Sequence, residues 1–248
     1  MFILSFLFFL TALLYSSVGF GGGSTYLALL LIWGTPYQVF PVIALCCNII
    51  VVSGNCFNFI REGDTNFKIV APYLISSIPL AFIGGSLEIA QNTFEILLFI
   101  TLSIVGFFLL IKFKSFDNKD EIYRKIPNII SILIGGTIGF ASGIVGIGGG
   151  ILLSPILLLI RAGKAKHIAA TASIFILINS IAGIAGQITK DSILGEIYNY
   201  WPLFLLVFIG GQLGNFLTIR ILPARILALI TSILVIFVAL RMGIKLFV

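Results

Sequence analysis

Two runs of three adjacent glycines are the residues of this chain best suited to bind a ligand. Each run interrupts an apolar stretch of the sequence. Three adjacent glycines weaken a helix by about 1 kcal/mol each, so each run predicts a helix break. A break leaves backbone N–H groups free, and the next helix directs its positive dipole end towards them. This combination favours an anion. The two runs are Gly21, Gly22 and Gly23, and Gly148, Gly149 and Gly150.

Polar side chains near the two runs are candidates to complete the anion site. Ser24 and Thr25 follow the first run directly and add hydroxyl donors. Two asparagines occupy corresponding positions in the apolar segment that follows each short piece, and two hydroxyls precede the second of them. An amide inside an apolar segment needs a partner, and both a neighbouring helix and a substrate stay open as that partner. These further candidates are Asn48, Thr171, Ser173 and Asn179.

The composition indicates that lipid surrounds the segments that carry these residues. Hydrophobic residues make up 59% of the 248 residues and charged residues only 10%, which is too little charge to cover a water-facing surface. The apolar runs are about 17–23 residues long, which favours membrane-spanning helices over barrel strands. The net charge of +6 lies in short loops. We therefore interpret it as the positive-inside bias, and we expect no nucleic-acid partner.

The chain contains two glycine motifs twice, at nearly the same spacing. Residues 18–23 (VGFGGG) return as residues 145–150 (VGIGGG), and residues 82–87 (FIGGSL) return as residues 208–213 (FIGGQL). Five of six positions are identical in each pair, and the shifts are 127 and 126 residues. This agreement predicts two homologous tandem repeats of four to five helical segments each, a signature of transporters.

The predicted fold is an all-α polytopic membrane protein in which the first helix of each repeat is discontinuous. The short pieces after the glycines, 24–33 and 150–160, span about 16 Å, half of a hydrocarbon core of about 30 Å. If these pieces double back, the repeats are inverted and the basic residues divide 12 to 3 between the two sides of the membrane. If the pieces continue across, the repeats are parallel and the basic residues divide 10 to 5. The positive-inside rule favours the inverted topology. The predicted units are a first repeat at 1–111, a charged aqueous linker at 112–126 and a second repeat at 127–248.

The residues needed by a catalytic or metal site are scarce. All nine acidic residues lie in loops or at segment ends, and the single histidine lies in a basic loop. We therefore expect no enzyme activity, no metal and no cofactor. A site without buried negative charge suits an anion better than a cation. Cys46 and Cys47 could exchange with a sulfur-containing substrate, or they could be small buried apolar residues like Cys56; both interpretations stay open.

Three motifs make the chain similar to the sulfite exporter TauE/SafE family of membrane proteins. They are residues 19–23 (GFGGG), 143–150 (GIVGIGGG) and 169–173 (AATAS). The resemblance extends from Phe2 to about Arg241. It implies movement of small sulfur-containing anions such as sulfite, thiosulfate or sulfonates, without specifying the anion or the direction.

The sequence as a whole predicts a transporter of a small anion, with its site between the two repeats. We expect export by alternating access, in a multi-pass protein of a cell membrane, with a bacterial inner membrane as the expected location. An anion channel is the alternative, and a membrane-embedded enzyme is a weaker one. The expected partners are the anion and the lipid bilayer, and the oligomeric state is left open.

Overall fold

Helices dominate the part of the chain that the computed structural model describes. These residues are 2–17, 19–112, 126–160, 162–163, 165–190 and 197–216, with single positions and short stretches between 229 and 244. Most of the predicted linker and part of the predicted last segment lie outside them. The helices are α1 (Phe2–Ser16), α2 (Gly23–Ile32), α3 (Phe40–Arg61), α4 (Phe67–Ser86), α5 (Gln91–Lys112), α6 (Asn128–Val145), α7 (Gly150–Leu159), α8 (Ala165–Gln187) and α9 (Trp201–Phe216).

The chain is a multi-pass membrane protein, because several helices are long and apolar enough to cross a bilayer. Large apolar side chains cover their outer faces: Ile75, Phe107 and Leu133 are each about two-thirds exposed. Such a surface is compatible with lipid and not with water. The five candidate spans in the described residues are Tyr37–Arg61, Phe67–Ser86, Gln91–Phe108, Asn128–Val145 and Lys166–Gln187.

The short helix α2 runs in the direction opposite to α1. The start of α2 lies beside Asn48, inside α3. The end of α2 is joined to the start of α3 by a short connection, so α2 runs opposite to α3. Helix α9 runs parallel to α3, because Gly211 faces Val51 and Asn215 faces Gly54. Helix α1 in turn runs parallel to α9, with Phe9 against Gly210 and Leu13 against Gly214. The glycine break therefore turns the chain back, which is the alternative that the distribution of basic residues favoured.

Helices α6 and α7 repeat this arrangement. Helix α7 starts beside Ile176, in the middle of α8, and ends shortly before α8 begins. Helix α6 runs parallel to α4, and α4 runs parallel to α8, since Val70 packs with Ile174 and Gly85 lies against Gly183. Two broken helix pairs with the same internal direction change therefore occur in one chain.

Glycines spaced four residues apart allow α6 to approach α4 closely. Such spacing is typical of packing between membrane helices. A Cβ on Gly135, Gly139 or Gly143 would collide with the backbone of Tyr73, Ser77 or Ala81, respectively. These spaced glycines therefore serve helix packing, whereas the adjacent glycines lie in the breaks.

The two central helices, α3 and α8, are antiparallel. Just beyond the end of α3, Glu62 Oε2 lies 2.9 Å from Nζ of Lys166, near the start of α8. The side chain of Leu45, near the start of α3, lies against Gly183, near the end of α8. We call the end of the molecule that contains Glu62 and Lys166 the linker end, because the start of α6 lies there too. The end that contains the start of α3 is called the opposite end.

Candidate functional site

The first break separates α1 from α2 and is held in a conformation that favours glycine. Helix α1 ends at Ser16 and α2 begins at Gly23. Gly22 precedes α2 with φ of 86°, a left-handed conformation in which an L side chain is strained. A Cβ on Gly22 would also crowd Thr11, 3.0 Å away. The break therefore requires glycine here for two separate reasons.

The second break separates α6 from α7 and is shorter. Helix α6 ends at Val145, and the N–H of Gly146 donates to Ser142 O at 2.8 Å in a left-handed cap. Gly149 precedes α7 with φ of 77°, and a Cβ there would meet Ile138 and Phe175 at 2.8 Å. Thr11 lies beside Gly22, and Ile138 lies beside Gly149. Thr11 and Ile138 are 127 positions apart in the sequence, and so are the two glycines, so each glycine contacts the corresponding residue of its own half.

Both breaks meet at the side chain of Asn48, which is fully buried. Its Nδ2 donates to Ile147 O in the second break at 3.1 Å. A Cβ on Gly21 would collide with Asn48 Oδ1, and a Cβ on Gly23 would collide with Ile147 O. A Cβ on Gly148 would lie 2.6 Å from Asn48 Nδ2. The absence of side chains at these glycines thus allows the backbones of the two breaks to approach one another and Asn48.

The amides around this meeting point have no hydrogen-bond acceptor within the described chain. They are the N–H groups of residues 21–24 and 147–151, and all these residues are buried or largely buried. Free amides are normal in the first turn of a helix, but they are usually capped or hydrated. Left-handed glycines beside free amides form concave anion-binding sites. The two breaks therefore leave nine backbone donors, in buried or largely buried residues, without a partner in the described chain.

Buried side-chain atoms without partners lie in the same region. Among the described residues they include Asn48 Oδ1, Ser24 Oγ and Ser180 Oγ, and Ser180 Oγ lies 3.1 Å from the Cβ position of Gly148. A buried polar atom without a hydrogen bond costs about 1–3 kcal/mol, and such atoms are rare. The described chain therefore leaves the hydrogen-bonding capacity of these three oxygens unused.

The other predicted site residues bond elsewhere. Thr25 Oγ1 pairs with Tyr15 Oη at 2.8 Å, and Ser173 Oγ donates to Gly19 O. Asn179 Nδ2 donates to Phe175 O of its own helix at 2.8 Å, which leaves its Oδ1 unpartnered. Gly150 packs against Ile176, and Thr171 is buried. Asn48 alone of the two asparagines bonds to a glycine break.

Several residues of this centre are not among the sequence-based candidates. Ser180 and Ile147 contribute a hydroxyl and a carbonyl, and Tyr15 positions Thr25. The Tyr26 hydroxyl is buried without a partner beside Gly22. Ser180 directly follows Asn179, so a search for polar residues adjacent to the paired asparagines would have found it. The role of Ile147 depends on its backbone and has no sequence signal.

Ion pairs connect two elements of the fold at the linker end, where a cavity of about 820 Å³ lined by Tyr73 and Ser131 also lies. At the linker end, Lys166 Nζ lies 2.9 Å from Glu62 Oε2 and 2.7 Å from Asp64 Oδ2, and His167 Nδ1 lies 2.8 Å from Asp64 O. About two turns further along α8 than Lys166, Ser173 Oγ donates to Gly19 O in the first break. These contacts join the loop after α3 to the start of α8.

A cavity of about 490 Å³ lies at the opposite end. Pro41 and Ile144 line it, and Pro41 also contacts the Cβ position of Gly146 in the second break. Its charged wall consists of Lys190 and Glu88, and Lys190 Nζ donates to Gln187 Oε1 at 2.9 Å. Burial lowers the pKa of Lys190, while the nearby Glu88 carboxylate raises it. This cavity therefore places a partly desolvated cation close to the second break.

The other charged side chains that the structure describes make no contact with the breaks. In the described ranges, no group of three His, Cys, Asp or Glu side chains has a metal-binding arrangement. One of the described carboxylates is buried, that of Glu95 in the first turns of α5, where Gln91 Nε2 donates to it at 2.8 Å. Cys47 and Cys56 are buried and Cys46 is partly buried, and all three are free thiols.

Broken helices that surround a buried polar centre define a class of membrane proteins, the transporters with discontinuous helices. A comparison with known families identifies the member of that class. The sequence pattern of the family described as Sulfite exporter TauE/SafE matches residues 4–242. The chain therefore belongs to this family, which confirms the resemblance seen in the glycine motifs, and it is a membrane transporter of this type.

Relatives of this chain carry matching descriptions. A probable membrane transporter protein of Sinorhizobium fredii is 29% identical over 240 residues, which cover 95% of each chain. A probable membrane transporter protein of Bacillus subtilis is 24% identical over 226 residues, covering 80% of this chain and 81% of the relative. A third, from Xylella fastidiosa, is 32% identical over 90 residues, about a third of each chain. No solved structure matches the chain.

Proposed function

We propose that this protein exports a small sulfur-containing oxyanion, such as sulfite, thiosulfate or a sulfonate, by alternating access between two inverted repeats. The observation that carries the proposal is the meeting of both glycine breaks at Asn48. Each break supplies free amides and the N-terminus of a ten-residue helix, α2 or α7. The substrate class comes from the family, and the site explains why an anion suits it.

The electrostatics of the centre favour a negative guest. The helix dipoles of α2 and α7 place partial positive charge at Gly23 and Gly150, where the free amides point. Hydroxyl groups of Ser24 and Ser180 add donors that the protein itself leaves unused. A cation would meet these donors without a carboxylate to bind it. An oxyanion would satisfy several of them at once.

The internal arrangement of the helices supports the inverted repeats. Helix α3 of the first half is antiparallel to α8 of the second, and the two occupy corresponding positions in the order of elements. Helix α1 packs on α9, and α6 packs on α4, so each half places its broken helix on the other half. This exchange of corresponding elements is the relation that a pseudo-two-fold axis in the membrane plane produces.

Alternating access requires contacts at each end of the molecule that separate in turn. At the linker end the Lys166 ion pairs join the loop after α3 to the start of α8, and a cavity of about 820 Å³ lies beside the starts of α4 and α6. At the opposite end Pro41 lines the cavity of about 490 Å³ and contacts the Cβ position of Gly146 in the second break. We infer that the Lys166 pairs separate in one state and that the contact between Pro41 and Gly146 opens in the other. The buried centre favours such a carrier over a channel, which needs a continuous pore.

Two measurements test this function. Purified protein in detergent is heated with sulfite, thiosulfate, sulfoacetate, sulfate or chloride, and an anion that binds the folded state raises Tm. Protein in liposomes is then assayed for counterflow, in which trapped unlabelled sulfite drives accumulation of labelled sulfite. We expect stabilisation by at least one sulfur oxyanion and saturable counterflow. Stabilisation by none of them would refute the anion site, and flux without counterflow would indicate a channel.

A further inference from the structure

We propose that the anion bound between the two breaks carries one negative charge and one proton of its own, as hydrogensulfite does. This inference rests on the proposed function and narrows its substrate. It follows from two features of the centre: the amount of positive charge there, and the presence of unused acceptors beside the unused donors.

The positive charge of the centre matches a single negative charge. Each helix N-terminus contributes roughly half an elementary charge, so α2 and α7 together contribute about one. No described lysine or arginine contacts the breaks; Lys166 and Lys190 lie at the two ends of the molecule. A doubly charged ion would bring one uncompensated charge into a buried site, which is strongly unfavourable. Sulfate and other dianions are therefore poor guests.

The orientation of Asn48 leaves an acceptor at the centre. Its Nδ2 donates to Ile147 O, and this bond directs Oδ1 towards Gly21, where it has no partner. A carbonyl oxygen repels the bare oxygen of an anion but accepts a hydrogen bond from an O–H group. Ser24 and Ser180 offer hydroxyl donors on the other sides. A hydrogen-bearing oxyanion satisfies donors and acceptor together, whereas a fully deprotonated one leaves Asn48 Oδ1 unpaired.

Among the described residues, the side chains in contact with the breaks include no group that ordinarily titrates between pH 6 and 7.5. The titratable side chains around the first break are those of Tyr15, Tyr26 and Cys47. Phenols and thiols ordinarily lose their protons only above about pH 8. A change of affinity in this range therefore reports protonation of the ligand, provided that a ligand of constant charge shows no such change.

The test compares three anions by thermal shift on the purified full chain across pH 6 to 7.5. Sulfite exchanges its second proton in this range, methanesulfonate is a monoanion without a proton, and sulfate is a dianion throughout. We expect the apparent Kd for total sulfite to rise as the inverse of the remaining hydrogensulfite fraction, towards tenfold per pH unit above that transition. Methanesulfonate should bind more weakly and independently of pH, and sulfate should not bind.

Two variants separate the role of Asn48 from general packing. In Asn48→Leu the preference for hydrogensulfite over methanesulfonate should fall about tenfold, because the acceptor is lost for one ligand only. Asn179→Leu is the matched control: its oxygen is also unpartnered but its amide bonds within α8, so the preference should stay unchanged. Should Asn48→Leu fail to fold, the pH series on the wild-type protein still decides the question.

The outcomes distinguish this inference from the function on which it rests. Stabilisation by no anion refutes both. Equal, pH-independent binding of sulfite and methanesulfonate refutes the need for a ligand proton and leaves the anion site standing. Binding of sulfate as tight as that of sulfite refutes the single-charge argument in the same way. An unchanged preference in a folded Asn48→Leu protein assigns the acceptor to another group and overturns the role given to Asn48.

Discussion

The two glycine breaks share a backbone conformation but differ in the side chains around them. Gly22 and Gly149 have φ values of 86° and 77°, and each is crowded by the preceding helix. The first break is followed by Ser24 and Thr25, whereas the second is followed by Ile151 and Leu152. The comparison shows that the glycines set the shape of both breaks, while hydroxyl residues directly follow only the first glycine run.

The paired asparagines show the same asymmetry. Asn48 bonds across to Ile147 in the second break, whereas Asn179 bonds to Phe175 in its own helix. A centre built from two similar halves can therefore bind an asymmetric ligand, with backbone donors from both halves and an orienting amide from one. The predictions below test this division of roles, beginning with the largest effect.

Replacing Gly22 or Gly149 by leucine should reduce transport below about 1% of wild type. Strain at a positive φ costs about 1–3 kcal/mol and overpacking about 1–3 kcal/mol more, and both would displace the free amides. Counterflow in liposomes, normalised to the amount of inserted protein, measures the effect. Gly34→Leu is the control, because Gly34 has a φ of 69° but no atom within 4 Å of its Cβ position. Normal transport by a break variant would show that the glycine conformation is dispensable.

Replacing Asn48 by alanine should weaken anion binding by about 5- to 100-fold. The change leaves Ile147 O without its donor, a loss of about 1–3 kcal/mol. Asn179→Ala should weaken binding by less than about fivefold, since that amide bonds only within its helix. Thermal-shift titration with sulfite gives both values. Equal losses in the two variants would contradict the asymmetric centre.

Ser24→Ala should weaken binding by about two- to tenfold, the effect of one lost donor of about 0.5–1.5 kcal/mol. The matched control is Ser154→Ala in the other half. Its hydroxyl already donates to Gly150 O at 2.9 Å, so its loss should not change anion affinity. The same titration compares them. A larger effect from Ser154 than from Ser24 would show that the hydroxyl contribution comes from the second half and not from the first.

Lys190→Gln should raise KM by about two- to fivefold and leave kcat unchanged, because the cation concentrates anions in the cavity beside the second break. Glu88→Gln, in the same cavity, should lower KM. Both effects should shrink at high salt. Initial transport rates at two ionic strengths provide the measurement. Changes of the same sign in the two variants would rule out an electrostatic role for this cavity.

Much of the fold was predictable because it depends on local properties of the chain. The predicted short segments 24–33 and 150–160 correspond to α2 (Gly23–Ile32) and α7 (Gly150–Leu159), since glycine runs break a helix wherever they occur. The packing role of Gly135, Gly139 and Gly143 followed from their spacing alone. The burial of Glu95 was not predictable, because it depends on how the start of α5 packs against other elements.

The candidate site was predictable only in part. All twelve proposed residues are buried, but only those around Asn48 come together: Gly21, Gly23 and Gly148 contact it or the Ile147 carbonyl. Ser173 and Thr25 brace the first break from its sides. Ser180 was missed although it directly follows Asn179, and the carbonyl of Ile147 was missed because a backbone oxygen has no sequence signal.

The sequence by itself determined that the protein is embedded in a lipid bilayer, that two helices break at glycines, and that the chain resembles a family of anion transporters. Composition, glycine runs and motifs are properties of neighbouring residues and need no fold to be recognised. Only the tertiary structure decided that both breaks meet at Asn48 and that Asn179 bonds within its own helix. Corresponding asparagines cannot be told apart by local sequence, because the partner that distinguishes Asn48, the carbonyl of Ile147, lies about a hundred residues away along the chain.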